Sequence, residues 1–352
     1  MKILALLFLC SAGVAAAPQF INSPPNFATQ VEINSGKLCK TAKNTLEYLN
    51  RGAHYDPAVI HEGRLVKIPL AKIKATLLFI CAHQQQLNDP GFIKQHFTFW
   101  RWYPDLTEVK SLAPQKPLLK NLPKDNILMT KYYVHLAKAS MKKRGSMIYP
   151  LYGLPSDEQH LSLEQANAQP QLTRFRFGKQ AILKGALQGK VPVLAYLSRD
   201  DLEAALLQGT VVADFGPGIG KKIFNVHRCN NIDYDKRKGP YAQERYWYFK
   251  EVDGIKGYGK DAEHKITVEP SVTFAADLEH LGLGKLLLVQ YKTSSGDLIS
   301  RAGVLADTGG AFKNNLYQVD YLAGSFSGKT NYLKATRHLP DYVQAYFMVV
   351  KD

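Results

Sequence analysis

Cysteines, metal-binding spacings and long apolar runs are scarce in this chain of 352 residues. It has four cysteines and neither a CxxC pair nor an HExxH motif, so a metal site has no support and no cofactor is predicted. Beyond the first residues, no stretch is long and apolar enough to cross a bilayer. Helix-turn-helix and zinc-finger spacings are also missing, which argues against nucleic acid as the partner of a chain with net charge +15.

One glycine-rich segment, residues 216–221, looks like a phosphate-binding loop but lacks the residues that complete one. A P-loop continues with Ser or Thr and then a helix. Here Lys222 follows, and residues 223–226 have the composition of a strand or loop. Nucleotide binding is therefore not predicted.

The first residues have the pattern of a secretory signal peptide. Lys2 precedes an apolar run at 3–9 and small residues at 11–17, with cleavage predicted after Ala16. Because Leu9 precedes Cys10, the pattern does not fit a lipoprotein signal. We predict an exported chain, with a buried first helix as the alternative. An exported basic protein fits a carboxylate-bearing wall polymer better than nucleic acid.

The pattern along the chain predicts a mainly β protein with a helical N-terminal segment. Residues 18–30 are polar and proline-containing, and we interpret them as a flexible lead-in. Apolar residues recur at helical spacing in residues 70–81, and the aromatic-rich segment 92–102 is interpreted as a further helix. From residue 127 onward, short β-rich runs alternate with glycine and proline turns. Strands are predicted at 191–196, 208–215, 286–293, 298–306 and 346–350, the third and fourth forming a hairpin.

Three cysteines follow the predicted cleavage site, namely Cys39, Cys81 and Cys229. An odd number allows at most one pair within the chain. Cys39 and Cys81 lie in the N-terminal segment and can be bridged in an oxidising compartment. The alternative is that Cys81 is a buried thiol on a helix, and the sequence leaves both open.

The most informative stretch is an apolar strand that runs into Asp307, Thr308, Gly309 and Gly310. Glycines let a backbone turn sharply or approach a ligand closely. Asp320 follows within one loop. Two nearby carboxylates shift each other's pKa, so that one can stay protonated near neutral pH, as a general acid in sugar chemistry must. The alternative is a solvated turn.

This stretch resembles the three-aspartate domain of the membrane-bound lytic murein transglycosylase A family. Other blocks resemble the family in the same order, at residues 127–133, 149–155, 185–187, 194–196, 208–216 and 274–277. The resemblance covers roughly residues 35–352. No single block is decisive, and the specificity lies in the ordered set.

The resemblance implies a double-psi β-barrel with N-terminal helices, built from residues 31–133 and 245–352. A second, barrel-like β-domain at 134–244 is inserted between these segments, and the glycan lies in the groove between the two. The implied activity is cleavage of the MurNAc–GlcNAc β-1,4 bond of peptidoglycan, which leaves 1,6-anhydro-MurNAc ends. The implied partners are glycan strands, with outer-membrane or wall-associated proteins as further candidates. The implied location is the periplasm, the outer membrane or the exterior.

Within this resemblance, Asp320 falls on the catalytic aspartate, and Asp307 and Asp277 fall on the two supporting aspartates of the catalytic set. Eight further residues are candidates for substrate binding, namely Thr130, Tyr132, Tyr133, Gln208, Thr210, Gly309, Gly310 and Lys313. Packing in the core is the alternative for the tyrosines, and solvation is the alternative for the lysine.

The sequence also departs from the family pattern. Lys131 stands where the family has glycine before its two tyrosines, and Asn314 replaces the glycine of Lys-Gly. Lysine is unfavourable if that backbone needs positive φ, whereas asparagine tolerates a left-handed backbone. These departures make a catalytically inactive peptidoglycan- or partner-binding protein on the same fold the alternative function.

Overall fold

A computed structural model describes residues 17–352, so the predicted signal peptide at 1–16 lies outside the described residues. The strands are β1 (Gln19–Asn22), β2 (Gln30–Val31), β3 (Phe97–Tyr103), β4 (Ile127–Lys138), β5 (Tyr149–Tyr152), β6 (Val193–Leu197), β7 (Thr210–Asp214), β8 (Lys221–Cys229), β9 (Trp247–Val252), β10 (Thr273–Ala275), β11 (Leu286–Lys292), β12 (Leu298–Asp307), β13 (Gln318–Phe326) and β14 (Tyr342–Val350).

The helices are α1 (Ser35–Leu49), α2 (Leu70–Ala82), α3 (Pro90–His96), α4 (Leu106–Leu112), α5 (Pro117–Lys120), α6 (Leu163–Asn167), α7 (Lys179–Leu183), α8 (Arg199–Gln208), α9 (Leu278–Leu281) and α10 (Lys329–Thr336). The protein is mainly β, as the sequence predicts. Within residues 17–352, none of these helices combines the length and the apolar character that a bilayer span requires.

Six strands close into a ring in the order β14, β11, β12, β10, β13 and β4, because β4 pairs with β14 as well as with β13. In β11 the residues from Leu286 to Tyr291 are all buried, so both faces of this strand are covered. Helices α1 and α2 contact the ring strands from outside. The ring is a closed barrel whose double-psi connectivity stays a prediction.

The sheet continues from β4 through β7, β8 and β9, so the barrel and the middle of the chain share one sheet. Two hydrophobic clusters consist of residues between 137 and 249, and the small sheet of β5 and β6 contributes to both. This part therefore has an apolar core of its own. The predicted boundary between residues 133 and 134 falls inside β4, and the division into two domains stays a prediction.

The helix predicted from residues 70–81 is confirmed as α2, which buries Ile73 and Leu77. The hairpin is also confirmed, because β11 pairs antiparallel with β12. Cys39 of α1 and Cys81 of α2 form a disulfide, which decides between the two alternatives that the sequence left open.

The prediction of one helix over residues 92–102 is wrong in its second half. Asp89 caps the start of α3, and the chain turns into β3 at Phe97. Phe97 and Phe99 alternate with less buried residues, the period of a strand. β3 pairs with β14 on one side and β1 on the other. The helix prediction failed because cross-strand partners about 250 residues away stabilise the extended backbone.

The flexible lead-in predicted at residues 18–30 is also wrong. Residues 19–22 form β1 at the edge of the large sheet, where Phe20 is opposite Trp102. The ring of Phe20 stacks on that indole with centroids 5.9 Å apart, and it also stacks on Phe347. Burial of this aromatic side chain explains why a polar, proline-containing segment is ordered.

Candidate active site

A groove of about 520 Å³ lies where the barrel meets the part of the chain between residues 137 and 249. Asp307 and Asp320 both line it from the barrel. Further lining residues come from the end of α8, the start of β7 and the middle of β8, namely Gln208, Gly209, Thr210, Asn225 and Val226. The groove therefore brings together side chains from segments more than 100 residues apart.

Asp320 lies in the middle of the barrel wall. On β13 it is opposite Thr130 of β4 and Ala275 of β10. Its Oδ1 is buried and, among the described residues, has no hydrogen-bond partner. The pKa of Asp320 is raised to about 7, chiefly by burial and also by the charge of Asp307, whereas Thr130 and Lys131 act in the opposite direction. A partly protonated carboxyl group therefore faces the groove at neutral pH.

Asp307 is the last residue of β12 and is also opposite Ala275. The two aspartates thus flank β10 on either side, about two strand spacings or roughly 10 Å apart along the sheet. The Tyr132 hydroxyl donates a hydrogen bond of 2.6 Å to Asp307 Oδ2, and the Thr308 N–H donates one of 2.8 Å to Oδ1. Burial raises the pKa of Asp307 to about 6, and these two donors and Lys265 oppose that rise.

The two carboxyl groups therefore differ in what surrounds them. Asp307 receives two hydrogen bonds and faces a cation, whereas one oxygen of Asp320 has no partner. Hydrogen bonds favour the charged form, and an unpaired buried oxygen favours the neutral form. Near pH 7, Asp307 is mainly ionised and Asp320 is about half protonated.

Asp277, the third aspartate, does not line the groove. It caps the start of α9, where Oδ1 accepts from the His280 N–H and Oδ2 accepts from the His280 ring. Oδ2 also accepts from the Asn315 N–H at 3.2 Å, in the loop between Asp307 and Asp320. Its side chain is 2% exposed. The contacts of Asp277 therefore hold the loop that connects the two groove aspartates.

The structure brings six of the eight predicted binding residues into the groove, namely Tyr132, Tyr133, Gln208, Thr210, Gly309 and Gly310. Thr130 lies beside Asp320 but behind the groove surface, where its hydroxyl accepts a 2.7 Å hydrogen bond from Gln318. Lys313 lies in a neighbouring cavity that shares Thr308 and Gly309 with the groove. A contact of Lys313 with a ligand therefore stays a prediction.

The structure differs from the sequence-based expectation at Gln208 and at the two glycines after Thr308. Gln208 ends α8 rather than starting a strand, and Gly209 follows it with φ of +78°, which turns the chain into β7. Gly309 has an extended backbone, and a Cβ at Gly309 or Gly310 would meet no neighbour within 4 Å. These two glycines therefore leave the groove floor open, and no sharp turn requires them.

The departures at Lys131 and Asn314 do not distort the site. Lys131 is not among the residues with positive φ, and its ammonium group pairs with Asp341 at 2.5 Å. This pairing gives the ammonium group a partner within the protein. Asn314 has φ of +57°, the left-handed conformation that asparagine tolerates, so it takes the role of the expected glycine.

Sequence reasoning missed several polar residues of the groove, among them Asn225 and Lys265. Asn225 is 2% exposed on β8, where it donates to Thr210 Oγ1 at 2.6 Å and accepts from Lys265 Nζ at 3.1 Å. An asparagine between Phe224 and Val226, in a segment with the composition of a strand or loop, was a usable signal for Asn225. Nothing local marked Lys265, whose ammonium lies near Asp307 and whose pKa is lowered by burial.

Three solved structures were compared with this arrangement. Escherichia coli MltA with bound chitohexaose superposes with a TM-score of 0.61 at 16% identity, covering 98% of both chains. A membrane-bound lytic murein transglycosylase from Agrobacterium tumefaciens gives 0.59 at 15%, covering 94% of this chain and 97% of that one. MltA from Neisseria gonorrhoeae gives 0.58 at 15%, covering 96% and 93%. This chain has their fold.

The similarity extends over nearly the whole of each chain, so barrel, helices and middle region occur together in all of them. No protein-family model matches the sequence, and no curated protein matches it. At such low identity the likeness concerns the fold. The chemistry has to be argued from the residues in the groove.

Proposed function

We propose that this protein is a peptidoglycan lytic transglycosylase, which cleaves the MurNAc–GlcNAc β-1,4 bond and leaves 1,6-anhydro-MurNAc ends. The observation that carries the proposal is Asp320, a carboxyl group with one buried, unpartnered oxygen among the described residues, which lines the groove and has a pKa of about 7. The solved structures of this fold are described as lytic transglycosylases, and one of them holds chitohexaose, which supports binding of glycan strands.

In the proposed reaction, Asp320 is the only group that moves a proton. Its protonated form donates to the oxygen between MurNAc C1 and GlcNAc O4 as that bond breaks, and positive charge develops at C1. The carboxylate then takes the proton of the MurNAc 6-hydroxyl while O6 attacks C1. Asp320 ends protonated again, and no water is consumed.

The other groove residues favour the protonated form of Asp320 and supply charge and contacts for the sugars. Asp307 is held ionised by Tyr132 and the Thr308 N–H, and its negative charge favours the protonated form of Asp320. The same charge stabilises positive charge developing at C1. Burial and Asp307 raise the pKa of the Tyr132 hydroxyl well above its usual value, so it remains a donor. Tyr133, Gln208 and Thr210 offer an aromatic face and polar groups to the sugars.

We further propose that the protein is exported, that residues 31–133 with 245–352 form a double-psi barrel, and that residues 134–244 form the inserted domain. The groove between them supports this division, because its walls come from both parts. Periplasmic or outer-membrane association follows from the proposed substrate.

The test is digestion of purified peptidoglycan by the protein without residues 1–16, followed by mass spectrometry of the released sugars. The proposal expects muropeptides lighter by one water than those of a hydrolase digest. Release of sugars with hydrolysed ends would indicate a glycosidase and not a transglycosylase. Binding without any release would make the protein a wall-binding relative that has lost catalysis.

We expect kcat/KM to peak between about pH 6 and pH 7. Activity requires Asp320 protonated, so it falls as pH rises above about 7; it also requires Asp307 ionised, so it falls below about 6. Tyr132→Phe removes a hydrogen bond that lowers the pKa of Asp307, so its acidic limb should move to higher pH. A pH–rate profile of both proteins measures this. An acidic limb that stays in place would contradict the role given to Asp307.

A further inference from the structure

A second, smaller cavity of about 120 Å³ lies in the part of the chain between residues 137 and 249. Its apolar lining includes Leu206 and Leu207 of α8 and the rings of Tyr234 and Trp247, and its polar side chains are Lys179, Glu203, Gln243 and Arg245. Leu207 is 63% exposed and Tyr234 is 43% exposed, so the cavity opens to solvent between large apolar groups. None of these residues contributes to the proposed reaction.

Arg245 is the unusual group of this cavity. Its guanidinium lies over the ring of Trp247, 4.8 Å from the centroid, which fixes its plane. Its Nε is buried and, among residues 17–352, has no hydrogen-bond partner. A buried donor without a partner costs free energy that an anionic ligand would recover. Arginine suits a carboxylate in particular, because its planar fork matches the two oxygens.

The charges around Arg245 leave it free to act as the anion-binding group. Glu203 is the one carboxylate among the residues that line the cavity. It is already paired with Lys179 at 2.6 Å and with Arg199 at 2.8 Å. Lys179 also donates to the carbonyl of Pro240 at 2.6 Å. The cavity therefore carries net positive charge, and the charge without a partner resides on Arg245.

The cavity is built and not a gap between mobile loops. Gln243 is 4% exposed and donates from Nε2 to the carbonyls of Asp235 and Lys238, while its Oε1 accepts from the Asp235 N–H. These bonds hold the loop that carries Tyr234. A rigid cation between two leucines and two aromatic rings suits a carboxylate that carries a small apolar group.

One helix borders both the cavity and the groove. Leu206 and Leu207 of α8 border the cavity, and Gln208, the next residue, borders the groove. Four extended residues reach roughly 14 Å, which exceeds the roughly 10–12 Å diameter of a helix. A tetrapeptide attached to a sugar beside Gln208 is therefore long enough to pass α8 toward the cavity. Its volume, less than a quarter of the 520 Å³ groove, suits one small residue better than a sugar.

We propose that this cavity binds the terminal carboxylate of the stem peptide on the glycan, with Arg245 as the anion-binding residue and Trp247 as its platform. This inference rests on the proposed function for the origin of the peptide. Neither Lys131, which pairs with Asp341, nor Lys313, which lines a different cavity, belongs to this site.

The first test uses the unaltered protein without residues 1–16 and two probes, a stem tetrapeptide that ends in D-alanine and the same peptide as its C-terminal amide. Trp247 fluorescence reports binding, and Trp247→Phe identifies its part of the signal from the three tryptophans. The acid should bind about 10- to 100-fold more tightly than the amide, since it alone makes charge-assisted hydrogen bonds to Arg245. Equal affinity for the two probes would overturn the proposal.

The second test compares Arg245→Gln with Arg237→Gln, which removes the same charge from an 89% exposed side chain nearby. Only Arg245→Gln should lose the preference for the acid. It should raise KM for peptide-bearing peptidoglycan about tenfold and leave kcat, and KM for peptide-free glycan, unchanged. A rise in KM on both substrates would contradict the proposal. Binding of the peptide without any cleavage of glycan would instead contradict the proposed transglycosylase function and leave carboxylate binding by the cavity supported.

Discussion

Asp320→Asn is expected to lower kcat for peptidoglycan by about 10²- to 10⁴-fold, the usual contribution of a general acid and base. Asparagine keeps the size of the side chain but neither donates nor accepts the proton, so binding to peptidoglycan should persist. The measurement is the initial rate of muropeptide release, with a cosedimentation assay for binding. Retention of more than a tenth of the activity would show that Asp320 is not the general acid and base.

The matched control is Asp297→Asn, at an exposed position in the turn between β11 and β12. Within residues 17–352, the carboxylate of Asp297 accepts a hydrogen bond from Ser295 alone. Its activity should equal that of the unaltered protein. A loss in this control as large as that in Asp320→Asn would show that a general effect on the barrel, and not the proton of Asp320, was being measured.

Asp320→Asn should also make the folded protein more stable at neutral pH. The folded pKa of Asp320, about 7, lies above the unfolded value of about 3.9, so its ionisation opposes folding. This penalty is absent below pH 4, grows as pH rises, and is complete above about 7. Discounted for partial exposure, it is about 2 kcal/mol, or a few degrees in Tm. Thermal unfolding at pH 4 and pH 8 should show a gain for Asp320→Asn at pH 8 only.

Glu158→Gln is expected to destabilise the protein by about 3–5 kcal/mol, the cost of breaking a buried charge network. Glu158 is 0% exposed and accepts from Arg174 Nε at 2.8 and 3.0 Å and from Arg228 Nη1 at 3.0 Å. Arg174 is itself 1% exposed, so without this carboxylate two guanidinium groups lie in or near the interior uncompensated. Urea-induced unfolding measures the loss.

The matched control is Glu251→Gln, which removes the same charge from a pair with Lys222 at 2.9 Å. Glu251 is 52% exposed, so this pair contributes no more than about 1 kcal/mol. Equal losses for the two variants would mean that the network of Glu158 is no stronger than a surface pair. If folded Glu158→Gln still binds the peptide acid more tightly than the peptide amide, its loss of stability is separate from peptide binding at Arg245.

Local pattern was a good guide wherever the partner of a segment is close in sequence. The spacing of Leu70, Ile73 and Leu77 predicted α2, and the turn at 294–297 predicted the β11–β12 hairpin. The pattern failed at β3, whose aromatic residues fit a helix or a strand until β14 pairs with them. Asp307 was singled out because it ends an apolar strand and Asp320 because it follows within one loop, and the family resemblance supplied their roles.

The sequence by itself determined the β-rich character, the hairpin and the place of Asp307 at the end of an apolar strand. These features depend on the alternation of side chains within a few residues, which can be read from each short segment alone. Only the tertiary structure decided that Lys131 pairs with Asp341, that Lys265 and Asn225 enter the groove, and that Asp320 has a pKa of about 7. Desolvation and charge pairing depend on distance in space, and these groups come from segments that meet only when the barrel closes.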